Sequence, residues 1–510
     1  MSKLRIASIL FLLSTFFLKF SSMLRDLVIA HLFGDSYMAD AYIAAMTIPN
    51  AIILFMLTGM KDAFLPSYYK YERLGKGFSH LTNIVKGTFW ISAFIAITGA
   101  VFSPLFIRWF YPDFNSHGTE IAVWTAVIYF ISVAVVGVNA VYEGYFDAQR
   151  KFSFSTFSQT VVVLCTIGGA LLLHRQIGIY SVSVGYLVGT FISLFIKLFY
   201  LGPRQFLLWR QPMDRKEISA FYLVFLPVGL TIAVGQVNLF VNTLFAARLG
   251  EGVVANLNYA FRLVNIPQAI FGVTIATIVF PLLAEAKAKD DMKLFRLGIE
   301  KGLMYMFLFL APTVAGMLIL MKELVEIVYE RGAFTETATV LTSRYAVFYV
   351  GSVLFYSIQA VIAKGFYTLE KGHYMLRIGI ISIIANIIFN AILSKTMGAE
   401  GLALSASLVG LVYSSITFIT LYKISGGFHL FAVGKEYLKI VTATVGMAAA
   451  LLWIKYQFHV DQLPLTLYLA VMISLGAVIY FIGLWLLKTA SLKEILSKGR
   501  INKVSASKET

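Results

Sequence analysis

The sequence predicts an all-α integral membrane protein with fourteen transmembrane helices, arranged as two parallel six-helix repeats plus two extra C-terminal helices. Three observations carry this expectation. Hydrophobic residues make up 59% of the 510 residues and charged residues only 13%, whereas a soluble domain carries about 25% charged residues; mean hydropathy is +0.80. The apolar residues fall into stretches long enough to cross hydrocarbon, which takes about 20 residues. The second half of the chain also repeats the first at a slowly drifting offset. A soluble enzyme, a disordered chain and a disulfide scaffold are excluded at this level.

The predicted spans are 4–33, 38–58, 82–110, 119–146, 153–174, 178–201, 218–249, 253–284, 298–321, 337–363, 375–395, 398–423, 437–457 and 465–487. The first could pass for a signal peptide, because Lys3 and Arg5 precede the apolar run from Ile6 to Leu18. No small-residue cleavage site follows, and Lys19, Arg25 and Asp26 interrupt the segment, so it reads as a retained helix. The second continues into a stretch containing Pro66. Lys and Arg concentrate on one side: Lys61, Lys70, Arg73 and Lys76; Arg150 and Lys151; Arg204 to Lys216; Lys287 to Arg296; Lys371; Lys435; and the basic tail. The other side holds few, such as Arg175, Lys322 and Arg331. The positive-inside bias puts both termini in the cytoplasm. It also accounts for the net charge of +16 without any nucleic acid. The single cysteine, Cys165, has no partner in the chain for a disulfide.

The repeat rests on five ordered matches. Gly34 matches Gly250, Pro49 matches Pro267, Leu105 matches Leu324, Gly144 matches Gly365 and Gly178 matches Gly401, at offsets of 216, 218, 219, 221 and 223. The implied organisation is an N-lobe over 1–201 with helices 1–6, a cytoplasmic linker over 202–217, and a C-lobe over 218–424 with helices 7–12. Helices 13 and 14 follow over 425–488, then a basic cytoplasmic tail over 489–510. Six is even, so both copies cross in the same sense, as in transporters that bind substrate between repeats.

Charges within spans mark function by default. Lys19, Arg25 and Asp26 lie on helix 1, Asp40 on helix 2 and Arg262 on helix 8. One reading is an ion-pair network that locks these helices. The other is anion binding, because three cations against two carboxylates leave a surplus, and the arginine fork suits phosphate. A second polar set is Gln236, Asn238 and Asn242 on helix 7 with Asn386 and Asn390 on helix 11. It serves either as interhelical hydrogen bonding or as neutral oxygens for a monovalent cation; Asn242, Asn386 and Asn390 are the candidate cation site. The seven histidines show no metal-ligand spacing, and no glycine-rich phosphate loop occurs, so neither metal nor cofactor is expected. The patch at Gly168 reads as close helix packing.

The motif Arg25-Asp26, Ile29-Ala30, Phe33-Gly34, then Ala39-Asp40-Ala41-Tyr42, Ile48-Pro49-Asn50 and Ala63-Phe64-x-Pro66 resembles the N-terminal signature of the MurJ/MviN family. That family comprises lipid II flippases of the multidrug/oligosaccharidyl-lipid/polysaccharide exporter superfamily. Leu257 to Leu263, Pro267 and Phe280-Pro281 are similar too, and the resemblance covers nearly the whole chain. It implies two six-helix lobes around a cationic cavity and a groove, formed with helices 13 and 14, for a polyprenyl tail. Carried over by position, Arg25, Asp26, Asp40 and Arg262 match cavity residues, Lys19 stands where the family usually has Arg, and Asn50 belongs to the Pro-Asn motif. The arginine that usually follows Pro-Asn is absent from Ala51-Ile52-Ile53-Leu54. Asn242 and Asn390 fall where family sodium sites use acidic residues.

The expected function is therefore a non-enzymatic flippase in the bacterial cytoplasmic membrane. It would move polyprenyl-pyrophosphate-linked glycan precursor, lipid II, by alternating access for peptidoglycan synthesis and cell shape. The alternatives are a flippase for another lipid-linked oligosaccharide, of a capsule or secondary wall polymer, and a multidrug exporter of the same superfamily. The cation surplus argues against the exporter, whose cargo is cationic. The expected partners are the lipid-linked precursor, membrane lipid and cell-wall synthesis enzymes.

Overall fold

The computed structural model describes residues 3–201, 210–457 and 463–494. Among these residues fifteen helices follow one another. They are α1 (Lys3–Phe33), α2 (Tyr37–Glu72), α3 (Gly77–Phe110), α4 (Ser116–Ala148), α5 (Phe152–Ile177), α6 (Tyr180–Leu201), α7 (Arg215–Ala246) and α8 (Val253–Val264). Then come α9 (Ile266–Ala288), α10 (Met292–Ile319), α11 (Met321–Tyr329), α12 (Glu336–Thr368), α13 (His373–Ser425), α14 (Leu430–Gln457) and α15 (Leu465–Leu486). All fourteen predicted spans are helical. The eighth is broken at Asn265 into α8 and α9, ahead of Pro267. The eleventh and twelfth form α13, whose 53 residues turn at Gly398. The short α11 is an addition. Among the described residues, ten helices are each long and apolar enough to cross a membrane.

The chain divides into two compact units, one of residues 1–256 with 331–338, the other of 257–330 with 339–510. In the first, α2 packs on α4 and α7, α4 on α3 and α6, and α5 on α1 and α6. Met56, Met60 and Phe64 of α2 meet Ile84 of α3, Val141 and Phe146 of α4, and Phe225 of α7 in its core. The α5–α6 contact is close because both faces are small. A Cβ on Gly169 would come within 2.7 Å of the Gly185 Cα, and one on Gly189 within 2.9 Å of the Cys165 Cβ. Small residues one turn apart let two backbones approach, the usual means of packing helices in lipid. The close-packing reading of the Gly168 patch thus holds at its neighbour Gly169, with Cys165 as one more small residue of the seam. In the second unit α10 packs on α9 and α14, and α14 on α15, around Leu308, Ile440, Met447, Met472 and Tyr480. Large apolar side chains such as Phe94, Leu105, Phe195 and Phe199 point outward and stay exposed, as a lipid-facing surface requires.

Polar groups satisfy the helix ends. Asn115 Oδ1 accepts from the Gly118 amide at 2.6 Å at the start of α4. Asp214 caps α7 and Asp291 caps α10. The two amides on Asp291, from Lys293 and Leu294, hold its carboxyl below the usual range. Residues 202–209 of the predicted linker and 495–510 of the predicted tail lie outside the described residues. The end of the linker is anchored on α3. Lys86 Nζ donates to the Gln211 carbonyl at 2.5 Å, Asn83 Nδ2 donates to Glu217 Oε2 at 2.5 Å, and His80 Nδ1 pairs with Glu217 Oε1.

The internal repeat is visible in the backbone of the turns. Gly178, between α5 and α6, has φ 57° and ψ −139°; Gly398, within α13, has φ 62° and ψ −134°. The glycine that repeats Gly178 is thus Gly398, three residues before the expected Gly401. Only glycine takes this region readily. Arg150 and Glu370 also share a positive φ, 59° and 58°, without being glycine. The following amide closes the same bond in each, Lys151 to the Phe146 carbonyl and Lys371 to the Phe366 carbonyl, both at 2.8 Å. This is the six-to-one closure of a helix C-terminus.

Candidate anion-binding site

On α1, Arg25 and Asp26 are sequence neighbours, and the arginine folds back onto the carboxylate. Nε lies 3.0 Å and Nη2 2.8 Å from Asp26 Oδ1. Asp26 is buried, while the Arg25 side chain keeps 23% of its surface exposed. The guanidinium lies within electrostatic reach of the Tyr42 and Tyr129 hydroxyls, which bond each other at 2.7 Å. The Tyr129 ring stacks on Tyr186 with centroids 4.9 Å apart. Arginine therefore sits against an aromatic cluster from α2, α4 and α6. Lys19, two turns before Asp26, is exposed, and Asn50 of α2 is half-buried.

Asp40 is placed differently from either expectation. Its Oδ2 accepts the Gly252 amide at 2.6 Å and its Oδ1 the Ala255 amide at 2.7 Å, at the N-terminus of α8. In return, Glu251 Oε1 accepts the amide of Tyr37, the first residue of α2, at 3.1 Å. Each helix start is capped by an acid beside the other, with Asn256 Nδ2 donating to Asp35 Oδ2 at 3.0 Å alongside. Negative charge at a helix N-terminus is favourable. The two Asp40 oxygens thus meet backbone amides rather than the Arg25–Asp26 pair. Of the expected ion-pair network, the Arg25–Asp26 pair lies within α1, and Asp40 takes no part in it.

The second unit carries Arg262, whose Nε donates to Asn258 Oδ1 at 2.7 Å, one turn back on α8. It also holds the buried Asn386 and Asn390, with Asn390 Nδ2 donating to Asn386 Oδ1 at 2.6 Å. Asn242 lies on α7 in the first unit, half-buried. Among the described residues, no three His, Cys, Asp or Glu side chains come together as a metal site. In the second unit, α9, α10, α14 and α15 line a cleft of about 510 Å³. Its walls include Phe271, Phe309, Met447, Met472 and Phe481, and it is almost wholly apolar.

A family model described as "Lipid II flippase MurJ" matches residues 29–473. The chain belongs to that family. A lipid II flippase MurJ from Burkholderia cenocepacia is 24% identical over 496 residues, covering 91% of this chain and 93% of the relative. One from Thermosipho africanus is 26% identical over 415 residues, covering 80% and 83%. Among solved structures, a lipid II flippase MurJ in an inward closed conformation superposes with a TM-score of 0.80 at 24% identity, covering 93% and 98%. An inward-facing multidrug-resistance transporter of the MATE family reaches 0.66 at 12% identity, covering 80% and 94%. These likenesses fix the fold as that of a multi-pass membrane transporter.

One charged cluster escaped the sequence reading. Lys61 of α2, Glu143 of α4 and Lys197 of α6 meet in the first unit, although Glu143 and Lys197 lie inside spans read as apolar. The available signal was an acid deep inside span 119–146, far from Glu120 at its start, and a lone base in span 178–201. Such charges persist inside a membrane protein when paired.

Proposed function

We propose that this chain flips lipid II across the bacterial cytoplasmic membrane by alternating access, with both termini in the cytoplasm and no catalysis of its own. The observation that carries the reading is the Arg25 guanidinium, partly exposed on a membrane helix beside the Asp26 carboxylate, with the exposed Lys19 on the same helix. That leaves α1 with net positive charge where hydrocarbon would exclude it, so an anion is the fitting ligand. A pyrophosphate supplies paired oxygens for the arginine fork. Arg25 and Lys19 are the candidate pyrophosphate contacts of the first unit, and Arg262 is the candidate of the second. Asp26 orients Arg25, and Asp40 holds the start of α8. The apolar cleft beside α14 and α15 suits a polyprenyl tail, which needs continuous hydrocarbon contact and almost no polar atoms. Asn386 and Asn390 bond each other and offer no charge to a coupling cation.

The test is complementation of a bacterium depleted of its lipid II flippase, with lipid II flipping followed in spheroplasts. Restored growth and flipping support the reading. Normal membrane insertion without either overturns it, and the remaining candidates are then other lipid-linked oligosaccharides. Reporter fusions at the C-terminus test the topology, and an external C-terminus would exclude it.

A further inference from the structure

The buried charge cluster of the first unit has more cation than its central carboxylate needs. Lys197 is fully buried, and its Nζ donates to Glu143 Oε1 at 2.9 Å, Asn139 Oδ1 at 2.8 Å and Ser193 Oγ at 3.1 Å. All three ammonium protons are therefore placed. Gln159 Nε2 donates to Glu143 Oε2 at 2.6 Å. Glu143 is neutralised and hydrogen-bonded by these groups alone. Lys61 comes in addition, with Nζ 3.1 Å from Glu143 Oε2 and a side chain 25% exposed, against 2% for Glu143 and 0% for Lys197. Its other neighbours are Ser155 Oγ at 3.0 Å and, beyond hydrogen-bond reach, Asp147 Oδ2 at 3.9 Å. Asp62 is adjacent in sequence.

We propose that Lys61 is a docking cation for the phosphate of the lipid-linked substrate, parked against Glu143 until an anion draws it away. The inference rests on the flippase reading above and extends it by one residue and one stage of transport. Lys197 is what permits the exchange. A buried carboxylate stripped of its only counter-ion is strongly unfavourable, but Glu143 stays paired when Lys61 leaves. The position fits. Lys61 follows Asn50 on α2 by eleven residues, about three turns at 3.6 residues per turn, and so returns to the same helix face roughly 16 Å further along. The end of α4 that carries Glu143 runs into Arg150 and Lys151, which the proposed topology places in the cytoplasm. Lys61 thereby offers the α2 cation that Ala51-Ile52-Ile53-Leu54 lacks, nearer the side where a precursor made in the cytoplasm is first met.

The experiment measures binding of a polyprenyl pyrophosphate to the purified full-length protein in nanodiscs, for the wild type, Lys61→Ala and Lys61→Arg. Loss of one charge-assisted contact should weaken binding about tenfold or more in Lys61→Ala. Lys61→Arg should bind nearly as wild type, and the thermal midpoint should be unchanged in both, because Lys197 still pairs with Glu143. Wild-type affinity in Lys61→Ala overturns the inference while leaving the flippase reading intact. Equal loss in both variants with a lowered midpoint also overturns it, since Lys61 would then be part of the structural core alone. A wild-type protein that does not bind the probe overturns both readings.

Discussion

Lys197 Nζ lies 2.9 Å from Glu143 Oε1 at a place in the membrane domain where neither side chain meets solvent. Breaking a buried pair from one side costs about 3–5 kcal/mol, because the remaining charge is stranded, while removing both partners is often neutral. Lys197→Met leaves Glu143 with the partly exposed Lys61 as its counter-ion and strips Asn139 and Ser193 of their donor, so it should lower the thermal midpoint and the membrane level. Lys197→Met with Glu143→Met should recover most of the loss. Thermal unfolding of the detergent-solubilised protein, read by size-exclusion, checks this. A double variant as weak as Lys197→Met alone would show that the pair is not the unit that matters.

Asp40 and Glu251 make a second, separate test. Replacing a helix cap by alanine costs about 0.5–2 kcal/mol, and Asp40 serves two amides at the start of α8, Gly252 and Ala255, at once. Asp40→Ala should fall at the upper end of that range. Asp40→Asn, which keeps one acceptor oxygen, should lose about half as much. Glu251→Ala, with a single amide at 3.1 Å, should lose less than either. Thermal midpoints of the three variants would rank them. An Asp40→Asn variant as weak as Asp40→Ala would point to the charge rather than the acceptor.

The helices were legible because apolar length is a one-dimensional property. Each span needs only its own twenty or so residues to declare itself. The break at Asn265 and the turn at Gly398 shift boundaries without changing that count. The site was legible where charges cluster in sequence, as in Lys19, Arg25 and Asp26. It was not legible where partners come from distant helices. Glu143 and Lys197 are 54 residues apart, each deep inside an apolar span, and their pairing exists only after α4 packs on α6. The partners of Asp40 are backbone amides, which carry no residue signature; the only trace is the Gly250-Glu251-Gly252 loop that lets α8 begin there. The turns at Arg150 and Glu370 were hidden because the positive φ is taken by residues other than glycine.

The buried amides of α13 bear on energy coupling. Asn390 donates to Asn386 Oδ1 at 2.6 Å, so that oxygen is already engaged. Hard cations are held by oxygen ligands whose charge sets the affinity, and these two side chains supply neutral oxygens only. Transport in vesicles should proceed about equally well in sodium and in potassium buffers. A saturable sodium requirement, lost in Asn390→Ala, would refute this and identify a cation site.

The arginines give the most direct test of the proposed function. Arg25 pairs with Asp26, its immediate neighbour on α1, and Arg262 Nε bonds Asn258 one turn back on α8. A binding role predicts that Arg25→Ala and Arg262→Ala insert and express near wild-type levels. A role in binding the pyrophosphate predicts loss of transport all the same. Charge-assisted contacts are each worth about 1.5–3 kcal/mol, so one lost contact should lower substrate affinity about tenfold or more. Lysine keeps the charge and loses the planar fork, so Arg25→Lys and Arg262→Lys should rescue only in part. Lys19→Ala should be harmful and Lys19→Arg tolerated, since a fork adds to a point charge there. Membrane level and flipping rate, measured side by side for each variant, separate the two accounts. Poor expression of Arg25→Ala, restored by adding Asp26→Ala, would mean that the pair serves the fold and that the anion is held elsewhere.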